Sequence, residues 1–378
     1  MTQHPDGARL DPQTVAIRAG RGASGSSLAP VIWATSTFVA GSVEEGRRLA
    51  TSTCASEFYS RYGNPTVNAF EDAIAELEGA EAARAFSSGM GAVAAVVLGL
   101  CSKGDHIVSQ RQVYAGTQML LQSVCPRFGI DVTLVDGADP EAWEAAVIPG
   151  RTMLLLAETP ANPRLDLVDL ERLGAIRGPM KAVDSTFATP IGQRPLDHGV
   201  DLVIHSATKA IGGHNDVTLG VVAGSRELID WVWGFAVLQG ANASAFDAAG
   251  GLRGLRTLGV RLERHESSAL EIARWLEGHA GVARVLRELA ERAESPLAFG
   301  YCPNAGLPAV RERLARHLSR EQGVPVGAEH LVMTVGAAGG LNAFFRAVIE
   351  PGDEVLCPSP YFVEYGAYVG HAGGRLVP

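Results

Sequence analysis

The stretch LVIHSATKA (202–210) carries two hydroxyls and a lysine, Ser206, Thr208 and Lys209, at the end of an apolar run. Hydroxyls beside an amine can hold a phosphate while the amine forms an imine with an aldehyde. Alone, the fragment fits equally well a strand that ends in a surface lysine. Composition adds weight, because only Lys103, Lys181 and Lys209 among 32 basic residues are lysines. Arginine stays protonated and cannot form an imine. A chain that writes arginine almost everywhere keeps lysine for its amine chemistry or by chance.

Three further stretches offer complementary groups. KAVDSTFATP (181–190) ends an apolar run on Asp184, with Thr186 two residues on. A carboxylate there is costly to bury without a cation, and a protonated ring nitrogen is one such partner. SSGMG (87–91) presents the backbone N–H groups around Ser88, Gly89 and Met90 at the start of a helix, a ready phosphate site. Taken singly, that glycine turn is a weak signal. VYAGT (113–117) sets Tyr114 after a strand, where its ring can stack on a flat cofactor or simply pack.

The elements that must position these groups follow from periodicity. TVNAFEDAIAELEGA (66–80) puts Val67, Phe70, Ile74 and Leu77 on one helical face and stops at Gly79. Short apolar runs follow at 106–110, 130–136, 152–159, 181–186, 202–207 and 218–224, with helical patterns between the earlier ones at 117–128, 140–148 and 168–176. Near-continuous apolar strands alternating with helices predict a mostly parallel sheet covered on both faces, with ligand groups at the strand ends. Residues 225–279 read as long helices. Two segments, 86–114 and 334–362, each give a small-residue turn, a helix, a [KP]GD turn, a strand and an aromatic. They read as one supersecondary unit occurring twice.

Composition narrows the function classes. The net charge of −9 and pI near 5.6 provide no basic field for nucleic acid or an anionic membrane. The longest apolar stretch, 91–100, is too short to span a bilayer, and the N-terminus lacks a signal-peptide core. Five scattered cysteines without CxxC spacing read as thiols of a reducing compartment, which predicts a cytoplasmic protein without a metal site.

The strings YSRYGNPT, SSGM, VYAGT, ETPANP, VDSTFATP, HSATK and LRGLRTLGVRLERH occur in this order over about residues 25–285. In them the chain resembles the Cys/Met-metabolism family of enzymes dependent on pyridoxal 5'-phosphate (PLP). That family includes cystathionine γ-synthases, cystathionine lyases, methionine γ-lyases and homoserine sulfhydrylases. The resemblance implies an α/β, fold-type-I PLP-dependent transferase architecture with PLP as cofactor. It makes Lys209 the imine lysine and Asp184 the partner of the pyridine nitrogen, with Thr186 beside it. Ser88, Gly89, Met90, Ser206 and Thr208 become the phosphate cradle, Tyr114 the stacking ring and thiolate acid, and Asn162 a cofactor contact. Tyr59 and Arg61 match residues that reach a neighbouring subunit's phosphate. The implied active unit is therefore a homodimer, assembled as a homotetramer, acting on a small amino-acid substrate.

The chain departs from that pattern in three places. Gly116 stands where methionine-cleaving lyases carry a cysteine, and no lysine lies between Trp233 and Ala245. After about residue 285 the family's small domain, with the arginine that grips the substrate carboxylate, is not recognisable. Residues 297–378 instead resemble the N-terminal part of a class I/II aminotransferase and contain no lysine. The expected organisation is an N-terminal arm that contacts a neighbouring subunit (1–60), a PLP-binding large domain (61–253), the start of a small domain (254–285) and an aminotransferase-like segment (286–378). The expected activity is C–S lysis of a sulfur amino acid, with a transsulfuration transferase or an impaired PLP binder as alternatives. Arg311, Arg313 and Arg375 are the candidates for the missing carboxylate grip. Borohydride reduction of the PLP-loaded protein should label the peptide containing Lys209, and Lys209→Ala should abolish the label while Lys103→Arg and Lys181→Arg keep it. Label on any other peptide would refute the assignment.

Overall fold

A computed structural model describes residues 10–24, 26–279, 281, 308–331, 344–345, 347–357 and 365–377. The chain divides into two compact units, Met1–Glu288 and Leu289–Pro378.

The first unit is built on strands β1 (Ala82–Phe86), β2 (His106–Gln110), β3 (Asp131–Val135), β4 (Thr152–Glu158), β5 (Met180–Asp184), β6 (Leu202–His205) and β7 (Gly220–Gly224). They form one sheet in the order β1-β7-β6-β5-β4-β2-β3. The pairs β1/β7 and β6/β7 are antiparallel and the others parallel, so the sheet is mostly parallel, as its apolar strands predict. Chain order reverses between β2 and β4, which opens a crevice at the carboxyl ends of the central strands.

Helices cover both faces. The helices of this unit are α1 (Pro12–Arg18), α2 (Val43–Ala50), α3 (Pro65–Glu78), α4 (Gly89–Leu100), α5 (Ala115–Met119), α6 (Pro140–Ala145), α7 (Leu170–Ala175), α8 (Thr189–Gly192), α9 (Arg226–Gln239), α10 (Ala245–Leu255) and α11 (Leu258–Glu277). Asn64 caps α3 by accepting the Thr66 N–H at 2.9 Å, and Pro65 occupies the first turn, where no N–H is needed. The face foreseen from periodicity, Val67, Phe70, Ile74 and Leu77, is buried, with Leu252, Leu255 and Leu258 in the same core. On the opposite face Val93, Val96 and Val97 of α4 share a core with Trp233 and Val237 of α9 and with Phe86, Ile204 and Val222.

Three local readings differ from this picture. The strand β1, AARAF, escaped notice because three alanines and an arginine make a poor strand signal. It is held by Glu71, which accepts the Ala85 N–H and the Arg84 guanidinium, both at 2.8 Å. The helix expected over 117–128 breaks into α5, a π turn (Leu120–Val124) and a 3-10 turn (Cys125–Phe128), where Pro126 supplies no N–H. Residues 1–60, expected as an arm, include α1, which buries Val15 and Ala16 in the core of α3.

The second unit contains α12 (Pro308–Gln322) and the parallel strands β8 (Glu354–Leu356) and β9 (Arg375–Val377), with α13 (Tyr365–His371) between them. Its [KP]GD turn repeats that of the first unit. The Asp105 and Asp353 carboxylates accept the N–H of Ser102 and Glu350 at 2.7 and 2.9 Å, and each aspartate N–H returns to that residue's carbonyl at 3.1 Å. Gly104 and Gly352 have φ of 97° and 98°. The carbonyls of Asp105 and Asp353 then accept the N–H of Asp131 and Arg375, which open β3 and β9. The duplicated small-residue turn TVGAAGGLN (334–342) and residues 286–307 lie outside the described residues.

One buried pair ties α3 to the sheet. His205 Nε2 on β6 lies 2.6 Å from Glu78 Oε1, both side chains being wholly buried. Removing one partner strands the other, so Glu78→Ala should lower the unfolding free energy by about 3 kcal/mol. The exposed Glu44→Ala should change it by less than ~0.5 kcal/mol. Urea unfolding compares them, and equal midpoints would contradict the role given to the pair.

Candidate active site

Loops at the carboxyl ends of β2, β4, β5 and β6, together with the start of α4, enclose a cavity of about 220 Å³. It is lined by Ser88, Gly89, Met90, Tyr114, Asn162, Asp184, Thr186, Ser206, Thr208 and Lys209. Ten residues singled out from the sequence thus converge on one site. Tyr59 and Arg61 do not line it. Arg61 instead donates to the Val237 carbonyl at 2.8 Å and lies against the rings of Tyr59 and Tyr62.

Asp184 ends β5, and its carboxylate accepts the Thr186 N–H at 3.0 Å and hydroxyl at 2.5 Å. The Thr186 hydroxyl in turn accepts the Ser206 N–H at 2.8 Å, so one side chain fixes the floor of the cavity to the turn that carries Lys209. Burial pushes the Asp184 pKa up, against the Thr186 hydrogen bonds and the field of His205, which lower it. No cationic side chain pairs with it among the described residues.

Lys209 sits in a tight turn, with its N–H on the Ser206 carbonyl and its carbonyl accepting from Gly213. Arg261, from LRGLRTLGVRLERH, braces this turn by donating to the Ala210 and Gly254 carbonyls at 2.7 and 2.8 Å. The Lys209 ammonium has no partner among the described residues, whereas Lys181 lies 3.7 Å from Asp201.

Ser88 caps α4 by accepting the Gly91 N–H at 3.0 Å, while the Gly89 and Met90 N–H groups precede any intrahelical acceptor. A Cβ on Gly89 would stand 2.6 Å from the Ser206 Cβ, so only glycine lets the helix start this close to that turn. The N–H groups of α4 and the Ser206 hydroxyl are available to an anion. Thr208 differs, because its hydroxyl donates to the Leu219 carbonyl at 3.1 Å and accepts that residue's N–H at 2.9 Å.

Sequence reasoning missed five lining residues, Val93, Thr117, Glu158, Pro160 and Phe187. Glu158 matters most. It ends β4 as Asp184 ends β5, and the two are partners in the parallel register. Its signal was the same as that of Asp184, an acid closing an apolar strand. Its carboxylate accepts the N–H of Tyr114 and of Asn162, both at 2.7 Å. Burial, and then the Asp184 charge, push its pKa up to about 7.

Two proposed carboxylate grips are engaged inside the second unit. Arg311 donates to the carbonyls of Leu331 and Ala328 at 2.8 and 2.5 Å, and Arg375 pairs with Glu354. Arg313 is exposed. Among the described residues no acidic, histidine or cysteine cluster could hold a metal, and no helix is long and apolar enough to cross a membrane.

The donor set fits PLP: an unpaired amine, a buried carboxylate without a cation and a helix N-terminus face one cavity. Comparison with known proteins agrees. Residues 13–299 match the family described as Cys/Met metabolism PLP-dependent enzyme, and residues 274–378 match aminotransferase class I and II. The chain is 41% identical over 319 residues to an O-succinylhomoserine sulfhydrylase of Pseudomonas aeruginosa, covering 78% of each chain. It is 40% identical over 353 residues to an L-methionine gamma-lyase of Pseudomonas putida, covering 91% of this chain and 84% of the relative. A crystal structure of metB from Corynebacterium glutamicum superposes with a TM-score of 0.67 at 36% identity, covering 72% of this chain and 70% of that one. With the fold, the cavity and the sequence match in agreement, the chain belongs to the Cys/Met metabolism PLP-dependent enzyme family and takes PLP as its cofactor.

Proposed function

We propose that the chain is a cytoplasmic C–S lyase that converts a sulfur amino acid and water to a thiol, ammonia and a 2-oxo acid. The observation that carries this reading is the shared cavity of Lys209, Asp184, Tyr114 and the start of α4. When bound, PLP supplies an electron sink for the substrate's α-carbon. Asp184 pairs with the ring nitrogen and keeps it protonated, while Thr186 holds Asp184 in place. The Ser88 and Ser206 hydroxyls and the Gly89 and Met90 N–H groups hold the phosphate, and Thr208 fixes their turn through Leu219 while adding to the cradle. Lys209 tethers the cofactor, and its Nζ takes the α-proton of the bound substrate. Tyr114 covers the ring face, and its phenol gives a proton to the departing thiolate. Asn162 contacts the cofactor from the turn after β4. Tyr59 and Arg61 complete the phosphate site of a neighbouring subunit, which makes a homodimer the minimal active unit and a homotetramer the assembly.

A second reading, a transferase that adds a thiol through the same machinery, is favoured by Gly116. A Cβ there would stand 2.6 Å from Tyr114 Cε1 and 2.9 Å from Met90 Sδ. The cysteine that the resemblance associates with methionine cleavage thus has no room while the Tyr114 ring holds this place. Incubation with cystathionine, methionine and activated homoserine esters, with and without added thiol, separates the readings. The lyase predicts thiol-independent 2-oxo acid, and product formed only with thiol would overturn it in favour of the transferase. Gly116→Cys should cost about tenfold in kcat/KM by moving the Tyr114 ring. Bound PLP should be one per chain, because the lysine-free segment 297–378 offers no second attachment point.

A further inference from the structure

We infer that Glu158 is a positioning residue whose ionised carboxylate clamps together the two loops that bring Tyr114 and Asn162 to the cofactor cavity. This inference rests on the PLP site proposed above and concerns a lining residue to which that proposal gives no role.

The geometry is that of a two-pronged acceptor. Each carboxylate oxygen takes one backbone N–H, Oε2 from Tyr114 and Oε1 from Asn162, both at 2.7 Å. Those N–H groups belong to different connections, one following β2 and the other following β4. Hydrogen bonds to a charged acceptor are about twice as strong as neutral ones, so the clamp depends on ionisation. Gln110 of β2 fixes the Glu158 backbone from the other side, donating to its carbonyl at 2.9 Å and accepting its N–H at 3.1 Å. The side chain is 7% exposed and therefore has little water to replace a lost partner. Tyr114 is the first residue before α5 and has no side-chain cap, so its ring is aimed by this backbone contact and by packing over Gly116.

The clamp also has a built-in pH response. Burial and the Asp184 charge bring the Glu158 pKa to about 7. The titratable groups lining the same cavity are Asp184 on β5, the Tyr114 phenol and Lys209 after β6, while the facing Gln110 is neutral. Protonation of Glu158 removes the charge that both N–H groups address. Because the folded pKa is raised, ionisation opposes folding: the stability contribution is complete below the unfolded carboxyl range and is lost as pH rises through about 7. Clamping and stability thus change in opposite directions across one titration.

The test uses the full chain in two forms. In the unliganded wild type, amide hydrogen exchange is measured one unit below and one unit above the Glu158 value of about 7. Corrected for intrinsic rates, protection at the Tyr114 and Asn162 amides should rise by about tenfold on going up, while Gly91, capped by Ser88, stays constant. In Glu158→Gln, an amide nitrogen faces one of the two N–H groups. PLP affinity, read by tryptophan quenching, should then fall about tenfold and the pH-dependent protection should vanish. Glu158→Asp keeps the charge but is too short to reach both loops, so it should keep the pH dependence at one amide only. Flat protection in the wild type, or Glu158→Gln with wild-type PLP affinity, would overturn the inference. None of these readouts requires turnover, so failure of the lyase reading leaves this test intact.

Discussion

Parallel pairing of β4 and β5 sets two acids, Glu158 and Asp184, side by side where burial raises the pKa of both. Such a pair is unfavourable in an empty cavity unless protons or cations compensate it. The surrounding structure is arranged to hold that unfavourable feature in place. Thr186 and the Tyr114 and Asn162 N–H groups bind the two carboxylates, and no lysine or arginine neutralises them among the described residues. What remains is a cavity lined by two buried acids, a lysine amine and a helix N-terminus, the donor set that the proposed PLP site uses.

The frame around that site is rigid for ordinary reasons of packing. Both sheet faces are covered, by α4 and α9 on one side and by α3 and α10 on the other, so strand ends cannot shift independently. The Glu78–His205 pair and the Arg261 brace act on the same few residues, just before and just after Ser206–Lys209. The order of strands does the rest, because the reversal between β2 and β4 leaves the crevice open only at their carboxyl ends.

Much of this was legible in the sequence. The apolar runs located β2 through β7 to within two residues, and the lysine count directed attention to Lys209. Asp184 stands out in the sequence as an acid at the end of an apolar strand. Glu158 stands in the same position, but its partners are backbone N–H groups of two loops that no local pattern reveals. β1 was hidden since its stability comes from Glu71, thirteen residues upstream of Arg84, and from its neighbours rather than from its alanines. The second unit shows the reverse case. The repeated [KP]GD turn is visible as a string, and the hydrogen bonds of Ser102–Asp105 recur in Glu350–Asp353.

In the proposed site the Asp184 carboxylate stays ionised in the loaded enzyme because it shares its burial with a protonated ring nitrogen. Nitrogen NMR of protein loaded with PLP isotopically labelled at that nitrogen reads the protonation state directly. A pyridinium resonance is expected in the wild type at neutral pH and a neutral pyridine resonance in Asp184→Asn. A neutral pyridine resonance in the wild type, or a pyridinium that survives in Asp184→Asn, would contradict it.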